Sequence, residues 1–202
     1  MKTRQLILSG AALIALCVPS AFAQQSNTTT TTDPQSIAQR KTDQQDRIAQ
    51  GVDSGQLTAG ETKNLETKEA GVNKEEHTMR SEDDGHLTAA DRAKLNNQQN
   101  HLSNQIYDDK HNANTAHYGN GEIGQRRENQ QDRIAQGVKS GQLTAGETSR
   151  LENREQGINR EVSADKQANG GKLTGADRKA INQSQNRASR SIYRDKHNGT
   201  RR

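Results

Sequence analysis

The sequence predicts an all-α protein that contains two tandem copies of one three-helix unit. Three observations support this fold class. A 74-residue segment recurs at a fixed offset of 86 residues, apolar residues within each copy recur at helical spacings, and Gly and Thr interrupt that periodicity at four points. Only 27% of the residues are hydrophobic, against about 45–50% in ordinary globular domains, so we expect a thin core.

The first 23 residues have the features of a secretory signal peptide. Lys2 and Arg4 provide a positive start, residues 6–16 form an apolar run, and residues 21–23 form a small-x-small cleavage signature. A membrane anchor would need about 20 apolar residues, and Pro19 interrupts the run. We therefore expect cleavage after Ala23, a periplasmic or secreted location, and no membrane span in the mature chain.

The remainder of the chain is predicted to comprise five segments. Residues 24–35 are polar, Thr-rich and without periodicity, which is typical of a disordered tether. The helical copies occupy residues 36–112 and 125–198, a Gly- and Asn-rich linker covers residues 113–124, and residues 199–202 form a basic tail. Within the copies, 42 of 74 aligned residue pairs are identical. Whether the copies pack on each other or move independently about the linker is open at this point.

Each copy is expected to form three helices that end and begin at a Gly-x-Leu-Thr-x-x-acid motif. The Gly ends one helix in a left-handed conformation, the Thr caps the next helix, and the acid reaches back in a capping box. The predicted helices cover residues 36–53, 59–83, 89–111, 123–139, 145–169 and 175–197. Ser36 with Gln39 predicts one more capping box, and Asn112 and Asn198 are expected to be left-handed helix stops.

The apolar residues of each helix form one narrow stripe at spacings of four and seven residues. The predicted core residues are Ile48, Val52, Leu65, Val72, Met79, Leu95, Leu102 and Ile106 in the first copy, and Ile134, Val138, Leu151, Ile158, Val162, Ile181, Ala188 and Ile192 in the second. Because this core is small, we expect marginal stability unless the copies dock, self-associate or bind a partner.

The four Gly-x-Leu-Thr-x-x-acid motifs resemble the second half of an EF-hand calcium loop, in which a bidentate acid follows the Gly by six residues. The acids at that position are Glu61, Asp91, Glu147 and Asp177. The first half of the loop does not match, because its opening ligand position falls on Gln50, Arg80, Gln136 and Lys166. The sequence therefore favours a capping role for the acids, with calcium binding as the alternative and no other cofactor indicated.

Two longer patterns occur in the first copy, and the first of them contains a Gly-x-Leu-Thr-x-x-acid motif. They are RIxQGxxSGxLTxxE, present at residues 47–61, and IYxxKHN, present at residues 106–112. Through these patterns the mature chain resembles a group of small exported bacterial proteins of unknown function. The resemblance implies a bacterial envelope protein, and it brings no activity with it.

The composition excludes several functional classes. The only Cys lies in the predicted signal peptide, so the mature chain has no disulfide and no Cys metal ligand. No hydrolase triad, phosphate-binding loop or dinucleotide fingerprint is visible, which predicts that the protein is not an enzyme. Acids alternate with bases and aromatic residues are scarce, so we expect no specific nucleic-acid binding.

A second candidate metal motif lies at the end of each copy. Asp109-Lys110-His111 and its equivalent at residues 195–197 contain good metal ligands, but the adjacent Lys repels a cation. Basic residues at the negative end of a helix are stabilising, which favours a helix-end role.

Three functional hypotheses remain. The first is a structural or protein-interaction module of the bacterial envelope, which binds an unknown envelope protein or associates with itself. The second is weak calcium or divalent-cation binding through the EF-hand-like loops. The third is a hydrophilin-like stress protectant, which predicts little helix in dilute buffer.

Overall fold

A computed structural model describes residues 34–201, so the predicted signal peptide and residues 24–33 of the predicted tether lie outside the described residues. Between residues 34 and 201 the chain contains helices, turns and loops and no β-strand. The helices are α1 (Pro34–Asp53), α2 (Ala59–Glu82), α3 (Ala89–His111), α4 (Glu122–Lys139), α5 (Ala145–Ala168) and α6 (Gly175–Lys196). The all-α prediction is confirmed.

The start of α1 differs from the prediction. The helix begins at Pro34, a residue that suits the first helical position because it needs no amide partner there, and Ser36 lies inside the helix. The predicted Ser36–Gln39 capping box is therefore wrong, and the Gln39 amide donates instead to Asp43 Oδ1 at 2.9 Å. Helix α4 begins at Glu122, one residue before its predicted start at residue 123, so residues 122–124 of the predicted linker belong to its first turn.

All sixteen predicted core residues are buried, with no more than 8% of any of them exposed. The spacing rule located these residues correctly because each helix turns one narrow stripe toward its neighbours. The core also includes residues that the stripe did not contain, namely Ile37, Leu57, Leu87 and Leu143.

The first three helices pack closely on the last three. The most extensive packing joins α2 to α5, and the next joins α1 to α4. Helices α2 and α5 run in opposite directions: a Cβ on Gly60 would lie 2.7 Å from Gln156 Nε2, whereas Thr67 Oγ1 lies 2.7 Å from Ser149 Oγ. We call residues 36–112 the first half and residues 125–198 the second half, and these halves are docked.

Each half also contributes one alanine to the core of the other. Ala135 of α4 joins the cluster of Ile48, Val52, Leu57, Leu65, Leu102 and Ile106. Ala49 of α1 joins the cluster of Ile134, Val138, Leu143, Leu151 and Ile192. Alanine carries only a methyl group, so helices that meet at these residues can approach closely.

The third helix of each half lies outside this central packing. Helix α3 packs on α1 and α2, helix α6 packs on α4 and α5, and α3 does not contact α6. Within residues 34–201, no helix has both the length and the apolar character needed to cross a bilayer.

Candidate functional site

The four predicted metal-ligating acids each lie at the start of a helix. Glu61 Oε2 accepts a hydrogen bond from the Thr58 amide at 2.9 Å, and Thr58 Oγ1 accepts one from the Glu61 amide at 3.3 Å. Asp91, Glu147 and Asp177 form the same reciprocal capping boxes with Thr88, Thr144 and Thr174. The preceding glycines, Gly55, Gly85, Gly141 and Gly171, have φ values of 69°, 87°, 68° and 86°.

The leucine of the first motif in each half packs against the helix that it follows. Leu57 and Leu143 are fully buried. Their amides donate to the carbonyls of Gly51 and Gly137, at 2.9 and 3.0 Å. A Cβ on either glycine would lie 2.6 Å from the leucine Cδ1, so Gly at these positions leaves room for the leucine.

Two of the capping acids also anchor the end of the third helix in their half. Glu61 Oε1 accepts hydrogen bonds from Nδ2 of Asn112 and of Asn114, both at 2.9 Å. In the second half, Glu147 Oε1 accepts one from Asn198 Nδ2 at 2.6 Å. Asn112 is extended, with φ −80° and ψ 179°, and Asn198 has no positive φ, so the predicted left-handed stops are wrong. Instead, the side chains of Asn112 and Asn198 form hydrogen bonds that join the end of the third helix to the start of the second helix in the same half.

These contacts change the acidity of the two carboxyls. Burial raises the pKa of Glu61 and of Glu147, but hydrogen bonds from Thr and Asn outweigh it, so both pKa values are lowered from their usual range. Within residues 34–201, no group of three or more His, Cys, Asp or Glu side chains is arranged to hold a metal ion. The structure therefore places each of the four acids at a separate junction, without a set of such ligands around it.

The two Asp-Lys-His triplets lie at helix ends. Lys110 and His111 occupy the last turn of α3, and His197 caps α6. His111 stacks on Tyr107, with ring centroids 4.1 Å apart, and its Nδ1 lies 2.7 Å from the Tyr107 carbonyl oxygen. His197 makes the same contacts with Tyr193.

A layer of buried glutamates is the main feature that the sequence analysis missed. Glu66 and Glu69 on α2, and Glu152 and Glu155 on α5, have no more than 2% of their surface exposed. Gln45 of α1 donates to Glu66 Oε2 at 3.0 Å, and Gln131 of α4 donates to Glu152 Oε2 at 2.9 Å. The polar layer thus involves all four helices that join the halves.

Burial raises the pKa values of two glutamates in this layer. The pKa of Glu152 is raised well above its usual value by burial, and the charges of Glu155 and Glu66 raise it further, against the hydrogen bond from Gln131. Burial also raises the pKa of Glu155 to about 7, although Arg127 opposes this shift. Ionising a buried carboxyl is costly, which is the physical cause of both upward shifts.

One signal in the sequence could have located these glutamates. Glu69 follows Leu65 by four residues and precedes Val72 by three, so it lies on the apolar stripe of α2. It is identical in the second copy as Glu155. Counting only apolar residues overlooked it.

The exposed side of α6 is strongly basic. Lys179, Arg187, Arg190 and Arg194 lie on one side of the helix and are exposed, and we call them the basic face. A depression of about 540 Å³ adjoins this basic face, and it is lined by Arg133, Ser189, Arg190, Tyr193 and Arg194. Tyr193 is 63% exposed. Within residues 34–201, the one ion pair on this face joins Arg194 Nε to the neighbouring Asp195 Oδ1, at 3.1 Å.

The corresponding side of α3 is not basic. The residues 86 positions earlier are Ala93, His101, Asn104 and Asp108. The difference extends to the whole of each half: the first half has 10 Lys and Arg against 14 Asp and Glu, and the second half has 15 against 9. The net charges are therefore −4 and +6.

Comparisons with protein-family models, with curated proteins and with solved structures give no match to this chain.

Proposed function

We propose that this chain is an exported, non-enzymatic interaction module of the bacterial envelope, built from two tandem three-helix repeats with degenerate EF-hand-like junctions. Its basic face on α6 would bind an acidic surface of an envelope protein. One observation carries this proposal: the two halves are identical at 42 of 74 aligned positions, yet the first has a net charge of −4 and the second a net charge of +6. Charge complementarity is a common means of partner selection.

The composition of the α6 surface supports the same proposal. Arg and Tyr are enriched at the centres of protein interfaces, because their side chains combine a large contact area with hydrogen-bonding groups. The depression beside the basic face presents Tyr193 between arginines. Both repeats keep an exposed tyrosine at this position, but Tyr107 is followed by Asp108 where Tyr193 is followed by Arg194. The arginine-rich surface is thus particular to the second repeat.

The first experiment measures whether this surface binds acidic polypeptide. Binding of the exported protein to poly-L-glutamate is measured by calorimetry at low and high salt, together with capture of partners from envelope extracts. The variant Arg187→Glu/Arg190→Glu/Arg194→Glu is expected to reduce affinity by about tenfold or more, because three attractive charges become repulsive. Light scattering at both salt concentrations shows whether a second copy of the chain is the acidic partner.

The matched control has the same change in net charge elsewhere in the second repeat and its tail. Lys139, Lys172 and Arg201 are exposed and lie outside the basic face, so Lys139→Glu/Lys172→Glu/Arg201→Glu should retain most of the binding. Equal losses in the two variants, or full binding by the basic-face variant, would contradict the proposal. A non-cooperative thermal transition with little helix would favour the hydrophilin-like alternative instead.

A further inference from the structure

A second feature of the molecule lies away from the basic face, at a pocket beside the linker. The pocket has a volume of about 480 Å³ and lies between residues 115–119, the start of α2, and one side of α4 and α5. Ala59, Ala116, Arg127, Val162, Ser163 and Lys166 are among the residues that line it. This volume falls within the range of small-molecule sites.

The first half shows how the protein normally balances two cations at this place in the fold. Lys41 Nζ lies 2.9 Å from Glu76 Oε2, and Arg80 Nη2 lies 2.9 Å from Glu76 Oε1. Glu76 is 8% exposed. One carboxylate therefore bridges a cation from α1 and a cation from α2.

The second half keeps the two cations and replaces the carboxylate. The residues 86 positions after Lys41, Glu76 and Arg80 are Arg127, Val162 and Lys166. All three line the pocket. Within the described residues, no carboxylate lies within ion-pair distance of Arg127 or Lys166.

Arg127 is held in place by the linker. It is only 7% exposed, and it donates to the carbonyl oxygens of Tyr118 at 3.1 Å and His117 at 3.2 Å. The Tyr118 ring lies over the guanidinium, 5.4 Å from Cζ to the ring centroid. Arg127 Nε is buried and has no hydrogen-bond acceptor. A buried cation with an unsatisfied donor is costly unless an anion balances it. The charge of Glu155 acts on Arg127, but Glu155 forms no ion pair with it and burial opposes the ionisation of that carboxyl.

We propose that this pocket binds a small organic carboxylate, which takes the position that Glu76 occupies in the first half. The carboxylate lies between Arg127 and Lys166, and the Ser163 hydroxyl is a further donor at the pocket wall. Val162, Ala59 and Ala116 provide apolar contact for the body of the ligand. A free acid and the C-terminal carboxylate of a peptide share this chemistry.

The test uses the exported protein and three probes. N-acetyl-leucine is the small acid, N-acetyl-leucinamide is its neutral counterpart, and N-acetyl-Gly-Gly-Leu with a free C-terminus represents a peptide end. Binding is measured by calorimetry and by chemical-shift changes at Val162 and Lys166. We expect the free acid or the peptide to bind and the amide to bind at least about tenfold more weakly, because it lacks the charge. Tighter binding of N-acetyl-leucine would identify the ligand as a free acid, and tighter binding of N-acetyl-Gly-Gly-Leu would identify it as the C-terminus of a peptide.

Two substitutions test the position of the carboxylate. Val162→Glu restores the arrangement of the first half and is expected to abolish binding, because its carboxylate would occupy the site. Lys166→Gln, at an exposed residue, should weaken binding by about tenfold, whereas Lys172→Gln, at an exposed residue in the loop between α5 and α6, should not change it. No binding by either acid, equal binding of acid and amide, or unchanged binding by Val162→Glu would overturn the proposal.

Discussion

At the scale of single residues, the capping boxes should contribute stability independently of calcium. Thr144→Ala removes the acceptor of the Glu147 amide and one donor to the Glu147 carboxylate. We expect a loss of about 1 kcal/mol in the free energy of unfolding. Urea denaturation followed by circular dichroism, in millimolar calcium and in chelator, should give the same loss. Arg160→Gln, at an exposed position in α5, is the control.

The alternative role of these acids as metal ligands makes an opposite prediction. If Glu147→Gln left the free energy of unfolding unchanged and abolished a measurable calcium affinity, the junctions would be binding sites. Glu147 is well suited to discriminate the two roles, because its carboxylate bonds both to Thr144 and to Asn198. Loss of stability without any calcium effect supports the capping role.

Residue chemistry also explains which local features were predictable. A left-handed Gly and a Thr that caps the next helix act within a few residues, so Gly55 and Thr58 could be interpreted from their own neighbourhood. The role of Asn112 could not, because its amide reaches Glu61, 51 residues away. The start of α1 at Pro34 was not predicted, because Pro34 follows a Thr-rich segment that shows no helical periodicity.

At the scale of helices, Ala49 and Ala135 should control docking of the halves. Ala135 is 3% exposed and lies in the core cluster of the first half. Ala135→Glu places a carboxylate among apolar side chains, so we expect a loss of about 3 kcal/mol or more in the free energy of unfolding. Urea denaturation measures the loss, and hydrogen exchange should show increased opening of α1 and α4. An effect below about 0.5 kcal/mol, typical of a surface substitution, would contradict the docked arrangement.

The control for docking is Ala93→Glu, which adds the same side chain at an exposed position of α3. Its effect on unfolding should be small. The pairing of α2 with α5 and of α1 with α4 could not be predicted from the sequence, because the apolar stripe shows which side of a helix is buried and not which helix covers it. The alanines were too small to be recognised as contacts between halves.

At the scale of the whole molecule, the buried glutamates should make stability depend on pH. Burial raises the pKa of Glu155 to about 7, so between its ordinary value of 4.5 and about 7 the folded protein holds a proton that the unfolded chain has released. Stability therefore falls as pH rises through this interval, by about 3 kcal/mol for this group. The raised pKa of Glu152 acts in the same direction. The lowered pKa values of Glu61 and Glu147 contribute a gain in stability that is complete only at pH values above their ordinary pKa of 4.5.

The variant Glu155→Gln tests this expectation directly, because it keeps the shape of the side chain and cannot ionise. Its free energy of unfolding should change less between pH 4.5 and 7.5 than that of the unmodified protein, and at pH 7.5 the variant should be the more stable of the two. Urea denaturation at a series of pH values provides the measurement, with Glu128→Gln on the exposed side of α4 as the control. An unchanged pH profile would show that Glu155 is ionised in the folded protein, with Arg127 as the charge that balances it. In that case the charge of Glu155 would balance Arg127, and Arg127 would depend less on an external anion in the pocket beside the linker.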